Sequence, residues 1–260
     1  MNSLAPPRQW EKWFWPLCAS GIFLILWYFL VRWTGSRIFP SPLDVQRGMV
    51  ELVRKGLLFR YAGDSLRRVA IGYLAAVFCG IPAGLLLGWY PAAGAVVNPT
   101  IQAVRPISPI AWIPIAIVWF GISDLACIFL IFIASLFPVV VATMNGVRGV
   151  PSMFRRTGRN FGLSAPQLLA KVVFPAALPQ MIVGLRIALG IAWLVVVAAE
   201  MIAVDSGLGY LVIDSRNAGK RYDLVVAAMI LIGLIGLVLD IGFRRIEKFR
   251  SIRWGFRSES

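Results

Sequence analysis

The chain contains no histidine, so the usual proton shuttle and the commonest metal ligand are both missing. Cysteine is scarce too: Cys18, Cys79 and Cys127 are an odd set, each inside an apolar run and none in a CxxC pair. That pattern indicates neither a disulfide framework nor a zinc site, and no metal is expected. Acidic residues number 12 against 26 lysines and arginines, and they form no cluster of the kind a membrane-embedded enzyme would need. Charge of either sign makes up only 15% of the 260 residues, where a soluble domain would carry about a quarter.

Apolar sequence takes the place of charge. The chain is 59% hydrophobic, with a mean hydropathy of +0.78. Long uncharged runs separate a few charged stretches, which is the composition of a polytopic helical membrane protein. The basic residues flank these runs, so the net charge of +14 points to headgroups and cytoplasmic flanks and not to nucleic acid.

Six spans are predicted, at about 13–31, 69–89, 94–119, 125–146, 180–203 and 223–243. Each is long enough for a ~30 Å hydrocarbon core at ~1.5 Å per residue. Open strands cannot cross lipid and no alternating barrel pattern exists, so an all-α fold is expected. Arg8 and Lys12 before the first run give it the order of a signal peptide. The run is longer than a signal core, however, and is followed by Arg32, Trp33 and Arg37 in place of a small-residue cleavage site. It reads as a retained helix.

The tail after the sixth span carries Arg244, Arg245, Lys248, Arg250, Arg253 and Arg257, and the loop 147–177 carries Arg148, Arg155, Arg156, Arg159 and Lys171. Two spans separate them, so they share a side, and the positive-inside rule makes it the cytoplasm, with both termini there. The stretch 32–68 pulls the other way, since its eight lysines and arginines fall outside. Within it, 45–68 has helical spacing and is expected to lie on the membrane surface before rising into the second span. The predicted organisation is a cytoplasmic tail at 1–12, a first helix with an amphipathic connection at 13–68, a core at 69–243 containing the loop 147–177, and a basic cytoplasmic tail at 244–260.

That loop holds "GLSAPQLLAKVVFPAALP", from Gly162 to Pro179. Ser164 suits an N-cap, and Pro166 sits in a first turn, where a missing N–H costs nothing. Ala165, Gln167, Leu168 and Lys171 can complete a short helix. Val172, Val173 and Phe174 supply an apolar face before Pro175. A short amphipathic helix bolted between two spans is what a soluble partner needs in order to push on a membrane domain. Gly162, Leu163, Ser164, Ala165, Pro166, Gln167, Leu168, Lys171, Val172, Phe174 and Pro175 are the candidate coupling residues.

This loop resembles the EAA motif of ABC importer permeases. Gly162 holds the motif's glycine, nine residues follow, and Val172-Val173-Phe174-Pro175 stands where Ile-x-Leu-Pro would be. The Glu-Ala-Ala positions read Arg156-Thr157-Gly158. "SLRRVAIGYLAAVFCGIPAGLLLG", "RPISPIAWIPIAIVWFGI", "GLRIALGIAWLVVVAAEMI" and "GLGYLVIDSRNAG" are similar to permeases of nitrate, sulfonate, taurine and bicarbonate importers. The resemblance covers roughly 60–245. It implies a MetI-like, type I importer permease fold with a cytoplasmic coupling helix, and an inner-membrane location. The partners it implies are separate ATPase subunits, an extracytoplasmic substrate-binding protein and a second permease subunit, forming a homodimer. The only Gly-Lys pair, Gly219-Lys220, is followed by Arg221, so the chain has no P-loop. ATP and Mg are therefore expected on the ATPase, with no cofactor and no catalysis on this chain. The competing class is a secondary transporter driven by an ion gradient.

Prolines 99, 106, 109 and 114 interrupt the third span. Each frees a backbone carbonyl, which a cavity or neighbouring helix can satisfy and lipid cannot. Arg105 there would lie ~16 Å deep at ~1.5 Å per residue. At that depth an arginine costs at least ~2.5–3.5 kcal/mol on insertion scales. It reads as a lining or gating cation beside Pro106 and Pro109, or as a structural pair or a cap on broken-helix carbonyls. Arg186 carries the same alternatives, with snorkelling added. Glu200 reads as a partner for another subunit's arginine, a contact for the binding protein, or a gate. Trp112 and Trp193 are uncharged pathway candidates or packing residues. Gly80, Gly84 and Gly88 make one flat face for close helix packing, and Asp240 with Arg244 is a structural pair.

Overall fold

The computed structural model describes residues 11–35 and 39–247. The tail before residue 11, Arg37 and the basic tail beyond residue 247 lie outside the described residues. Every regular element described is helical. The chain runs α1 (Glu11–Thr34), α2 (Pro42–Arg54), α3 (Leu57–Trp89), α4 (Pro91–Val104), a 3-10 turn at Pro109–Trp112 and α5 (Ile113–Phe120). It continues as α6 (Asp124–Arg148), α7 (Ser152–Asn160), α8 (Ala165–Leu168), a π-turn at Leu169–Val173, α9 (Phe174–Ala203), α10 (Leu208–Gly219) and α11 (Tyr222–Glu247).

Among the described residues, Leu57–Trp89, Asp124–Arg148, Ala165–Ala203 and Tyr222–Arg245 are long and apolar enough to cross a bilayer. The expected third span is two helices, Pro91–Val104 and Pro109–Phe120, bent by 84°. Pro106 and Pro109 lie in the break, where Ser108, directly before Pro109, is driven out of the helical region to ψ 131°. Counted as one, this bent pair makes a fifth crossing, while the apolar helix Cys18–Thr34 at the first predicted span is shorter. The expected fifth span begins earlier than 180. α8, the π-turn and α9 form one helical run of 39 residues, with Pro175 and Pro179 inside it. A proline ring crowds the carbonyl four residues back. The π-turn widens the backbone just before Pro175, and the Phe174 N–H reaches the Leu169 carbonyl instead.

The stretch 45–68 also departs from expectation. α2 starts with a capping box, in which Ser41 and Asp44 satisfy each other's backbone N–H groups, and it ends before Gly56 at φ +68°. Residues from Leu57 onward already belong to the long α3. α2 buries Val45, Gly48 and Leu52, and these pack with Leu211 of α10 and Ala227, Ala228 and Leu231 of α11. Its apolar face therefore meets protein.

The centre of the molecule is α3, α6 and α9. Inside a bilayer, helices associate through close packing, because lipid is as apolar as leucine. α3 accordingly presents buried Gly72, Ala76, Gly80, Gly84 and Gly88, one per turn, to Ile131, Val139, Thr143 and Val147 of α6. A Cβ on Gly84 would lie 2.5 Å from Thr143 Cβ and 2.7 Å from the Val140 carbonyl oxygen, so only glycine permits this approach. α9 closes the layer. The Tyr73 hydroxyl donates to the Leu185 carbonyl at 2.9 Å, and Gly184 gives room to Ala142 of α6.

Candidate functional site

Three features stand out along the Ala165–Ala203 helix: a turn at its start, a cavity beside its middle, and a buried charge network at its end.

The turn joins α7 to α8. Leu163 N–H bonds to the Gly158 carbonyl at 3.1 Å and Gly162 N–H to the Arg159 carbonyl at 2.9 Å. Gly162 lies between them at φ +76°. This is a Schellman ending, with glycine at the one left-handed position. Two residues later Ser164 opens α8 with a capping box, its N–H donating to Gln167 Oε1 at 3.1 Å. One helix is stopped and the next started by hydrogen-bonded caps, so the turn is stiff.

Leu168 is buried, 1% exposed, and packs onto Gly158, where a Cβ would collide with its side chain. Glycine at the last Glu-Ala-Ala position lets the end of the Leu168 side chain seat there. It also removes Leu168 from the contact surface expected of it, leaving it as the anchor. Gly162, Ser164, Ala165, Pro166, Gln167 and Lys171 are exposed, and Leu163, Val172, Phe174 and Pro175 are half-buried. Phe161, 82% exposed, lies at the same tip, and Met153 is exposed at the start of α7. Sequence reasoning passed over both, although an aromatic beside the turn glycine of a basic loop was the available signal. Arg155 was counted only as a positive charge. Its guanidinium donates to the Val147 carbonyl at 2.9 Å, tying α7 to the end of α6.

The cavity, about 220 Å³, lies at the 84° bend between α4 and α5. Arg105, Pro109 and Trp112 line it together with Phe137 and Pro138 of α6 and Ile191 of α9. These three predicted pathway residues therefore converge. Pro106 is exposed at the bend and does not line the cavity. Arg186 lies elsewhere, 3.9 Å from Asp240 of α11. Trp193 is buried against α11, its indole N–H donating to the Ile232 carbonyl at 3.0 Å.

Glu200 is fully buried, and its partner is Arg68 of the same chain, itself 2% exposed. Arg68 Nη1 donates to Glu200 Oε1 at 2.7 Å and to the Ser206 carbonyl at 2.8 Å, while Nη2 reaches Ser206 Oγ at 2.6 Å. Arg68 Nε donates to Asp124 Oδ1 at 2.8 Å, and Arg67 pairs with the other oxygen of Asp124. The second Glu200 oxygen accepts from Ser65 Oγ at 2.8 Å and from Gly209 N–H at 3.0 Å. Leu208 N–H donates to Ser65 Oγ at 2.9 Å. Two arginines meet two carboxylates, so the cluster is neutral and almost every polar atom is occupied. That is the condition under which a buried ion pair persists. Sequence reasoning counted Arg68 among surface charges and missed Ser65 and Asp124.

On the same face, Arg221 bridges Glu51 of α2 at 2.7 Å and Asp223 at 2.8 Å. Arg221, joined by Lys55, holds the Glu51 carboxyl down at about 2.

The chain has known relatives. Residues 80–251 match the family described as binding-protein-dependent transport system inner membrane component. The taurine transport system permease protein TauC of Escherichia coli is 32% identical, over 91% of this chain and 91% of that protein. The nitrate import permease protein NrtB of Synechocystis is 35% identical, over 86% of this chain and 84% of that protein. Among solved structures, the inward-facing MetNI methionine ABC transporter aligns with a TM-score of 0.64 at 20% identity, over 74% of this chain and 95% of that one. At that identity the likeness concerns the fold. The chain is a multi-pass membrane permease and belongs to the family of binding-protein-dependent transport system inner membrane components.

Proposed function

We propose that this permease imports a small anion of the taurine, sulfonate or nitrate class, driven by ATP hydrolysed on a separate chain. Carrying the reading is the Gly162 turn: a stiff, exposed knob continuous with a helix that runs the length of the membrane domain. A soluble ATPase, holding ATP and Mg, would grip Phe161 to Gln167 and Lys171 from the cytoplasm, the side on which both chain termini also lie. Two copies of the chain would enclose the path. Arg105, at the bend beside Trp112, would supply its fixed cation, because a guanidinium keeps its charge in a low-dielectric setting.

Closure of the ATPases would move the two Gly162 turns together and tilt the attached helices, opening the Arg105 cavity to the outside. A binding protein docked there would release the anion, and hydrolysis would restore the inward-facing state. Such a switch is a two-state equilibrium biased at a soluble interface. Uptake of labelled taurine or nitrate into proteoliposomes is expected only when permease, ATPase, binding protein and ATP are all present. Robust uptake by the permease alone under an ion gradient would overturn the reading.

A further inference from the structure

The Arg68 network lines neither the cavity nor the Gly162 turn, yet it grips the far end of the helix that carries both. We propose that Arg68, Glu200 and Ser65 are positioning residues. They join the Val204–Gly207 turn and α10 rigidly to the Ala165–Ala203 helix, so that a solute-delivering protein docking on that face acts directly on the Gly162 turn. The inference rests on the permease reading above and adds to it the route by which the two partners communicate.

The backbone alone would not hold α10 in place. α9 ends at Val204 in an extended conformation, so no helical hydrogen bond crosses the turn that follows. The first N–H groups of α10 have no partner within their own helix. Side chains from other helices take them: Ser65 of α3 accepts from Leu208, and Glu200 of α9 accepts from Gly209. Arg68 grips the turn itself through both the carbonyl and the hydroxyl of Ser206.

There is no slack in this grip. A side chain on Gly209 would strike the Val197 carbonyl and lie 2.8 Å from Glu200 Cβ, and one on Gly207 would strike the Glu200 carboxylate. Arg68 and Glu200 are themselves buried, so water does not readily replace a bond between them that stretches. From this joint the helix runs back to Ala165 through 39 residues, roughly 58 Å at ~1.5 Å per residue. Its π-turn and prolines lie near the Gly162 end, leaving the stretch that leads to Glu200 regular.

The test uses the complete transporter in nanodiscs, with hydrolysis measured with and without binding protein. Arg68→Gln is expected to cut the stimulated-to-basal ratio about tenfold, within the ~5–150-fold range of coupling between sites. Arg68→Lys keeps the charge without the fork and should fall between Gln and wild type. Arg221→Gln breaks an exposed tie on the same face and should keep the wild-type ratio. A wild-type ratio in correctly inserted Arg68→Gln overturns the joint. Absence of any hydrolysis with the wild-type chain overturns the permease reading, and the joint with it. Should Arg68→Gln fail to insert, spin labels at Gln180 and Asn217 of the otherwise wild-type chain decide the matter. Their separation is expected to hold through the nucleotide cycle, and a change of about one helical turn, ~5.4 Å, overturns the proposal.

Discussion

The two ends of the Ala165–Ala203 helix are fixed by opposite means. At the Gly162 end, backbone hydrogen bonds, two caps and the apolar Leu168–Gly158 contact do the work, and the surrounding surface is exposed. At the Glu200 end, a neutral cluster of charges joins α3, α6, α9 and α10, with Arg68 and Glu200 buried at its centre and Arg67 and Asp124 at its exposed edge. The contrast follows from surroundings. Water can complete the bonds of an exposed turn, so local chemistry suffices there. Where water is excluded, every polar atom must find a protein partner. The first kind of joint can meet another protein, and the second can only transmit.

Removing one member of the buried cluster is the severest way to break that contrast. Arg68→Ala would leave Glu200 buried and unpaired, which typically costs about 3–5 kcal/mol. Thermal unfolding of the purified permease should show this as a large fall in melting temperature, whereas an unchanged value would mean that the charges are not coupled.

A smaller effect is expected at the turn. Gly162→Val forces a branched side chain into the left-handed region, costing roughly 1–2 kcal/mol. The loss should appear less in global unfolding than in local amide exchange at Leu163 and Leu168. Equal destabilisation by both substitutions would erase the difference between the two ends.

The weakest effect belongs to Glu51. Arg221 and Lys55 depress its pKa from 4.5 to about 2. A depressed carboxyl stabilises the fold above its unfolded pKa and loses that contribution as pH falls through the folded value. Glu51→Gln should therefore lower stability by a constant increment above about pH 5, and the difference from wild type should shrink between about 4.5 and 2. A difference that grows on acidification would contradict the pairing.

The sequence made the exposed end legible and left the buried end dark, for a physical reason. Ser164, Pro166 and Gly162 signal caps and turns through local chemistry, and long apolar runs announce spans within one window. Arg68 and Glu200 stand 132 residues apart. No periodicity links them, and the tally of basic residues in 32–68 absorbed Arg68 as a surface charge. The prolines at 175 and 179 look like breaks because a sequence does not display the π-turn that accommodates them. At 106 and 109 the same residue type sits at a broken span, whereas Pro82 and Pro138 lie inside unbroken helices. Of the predicted pathway, Arg105, Pro109 and Trp112 lie close along the chain and meet in one cavity. Trp193 and Glu200 had their partners on other helices, and only the fold reveals them.

The most direct test of the central claim is photo-crosslinking from a benzophenone side chain placed at Phe161, with the permease expressed beside its ATPase in native membranes. The account predicts a single major adduct with the ATPase, weakened when nucleotide binding is blocked. An adduct with the extracytoplasmic binding protein, or none with the ATPase, would contradict it.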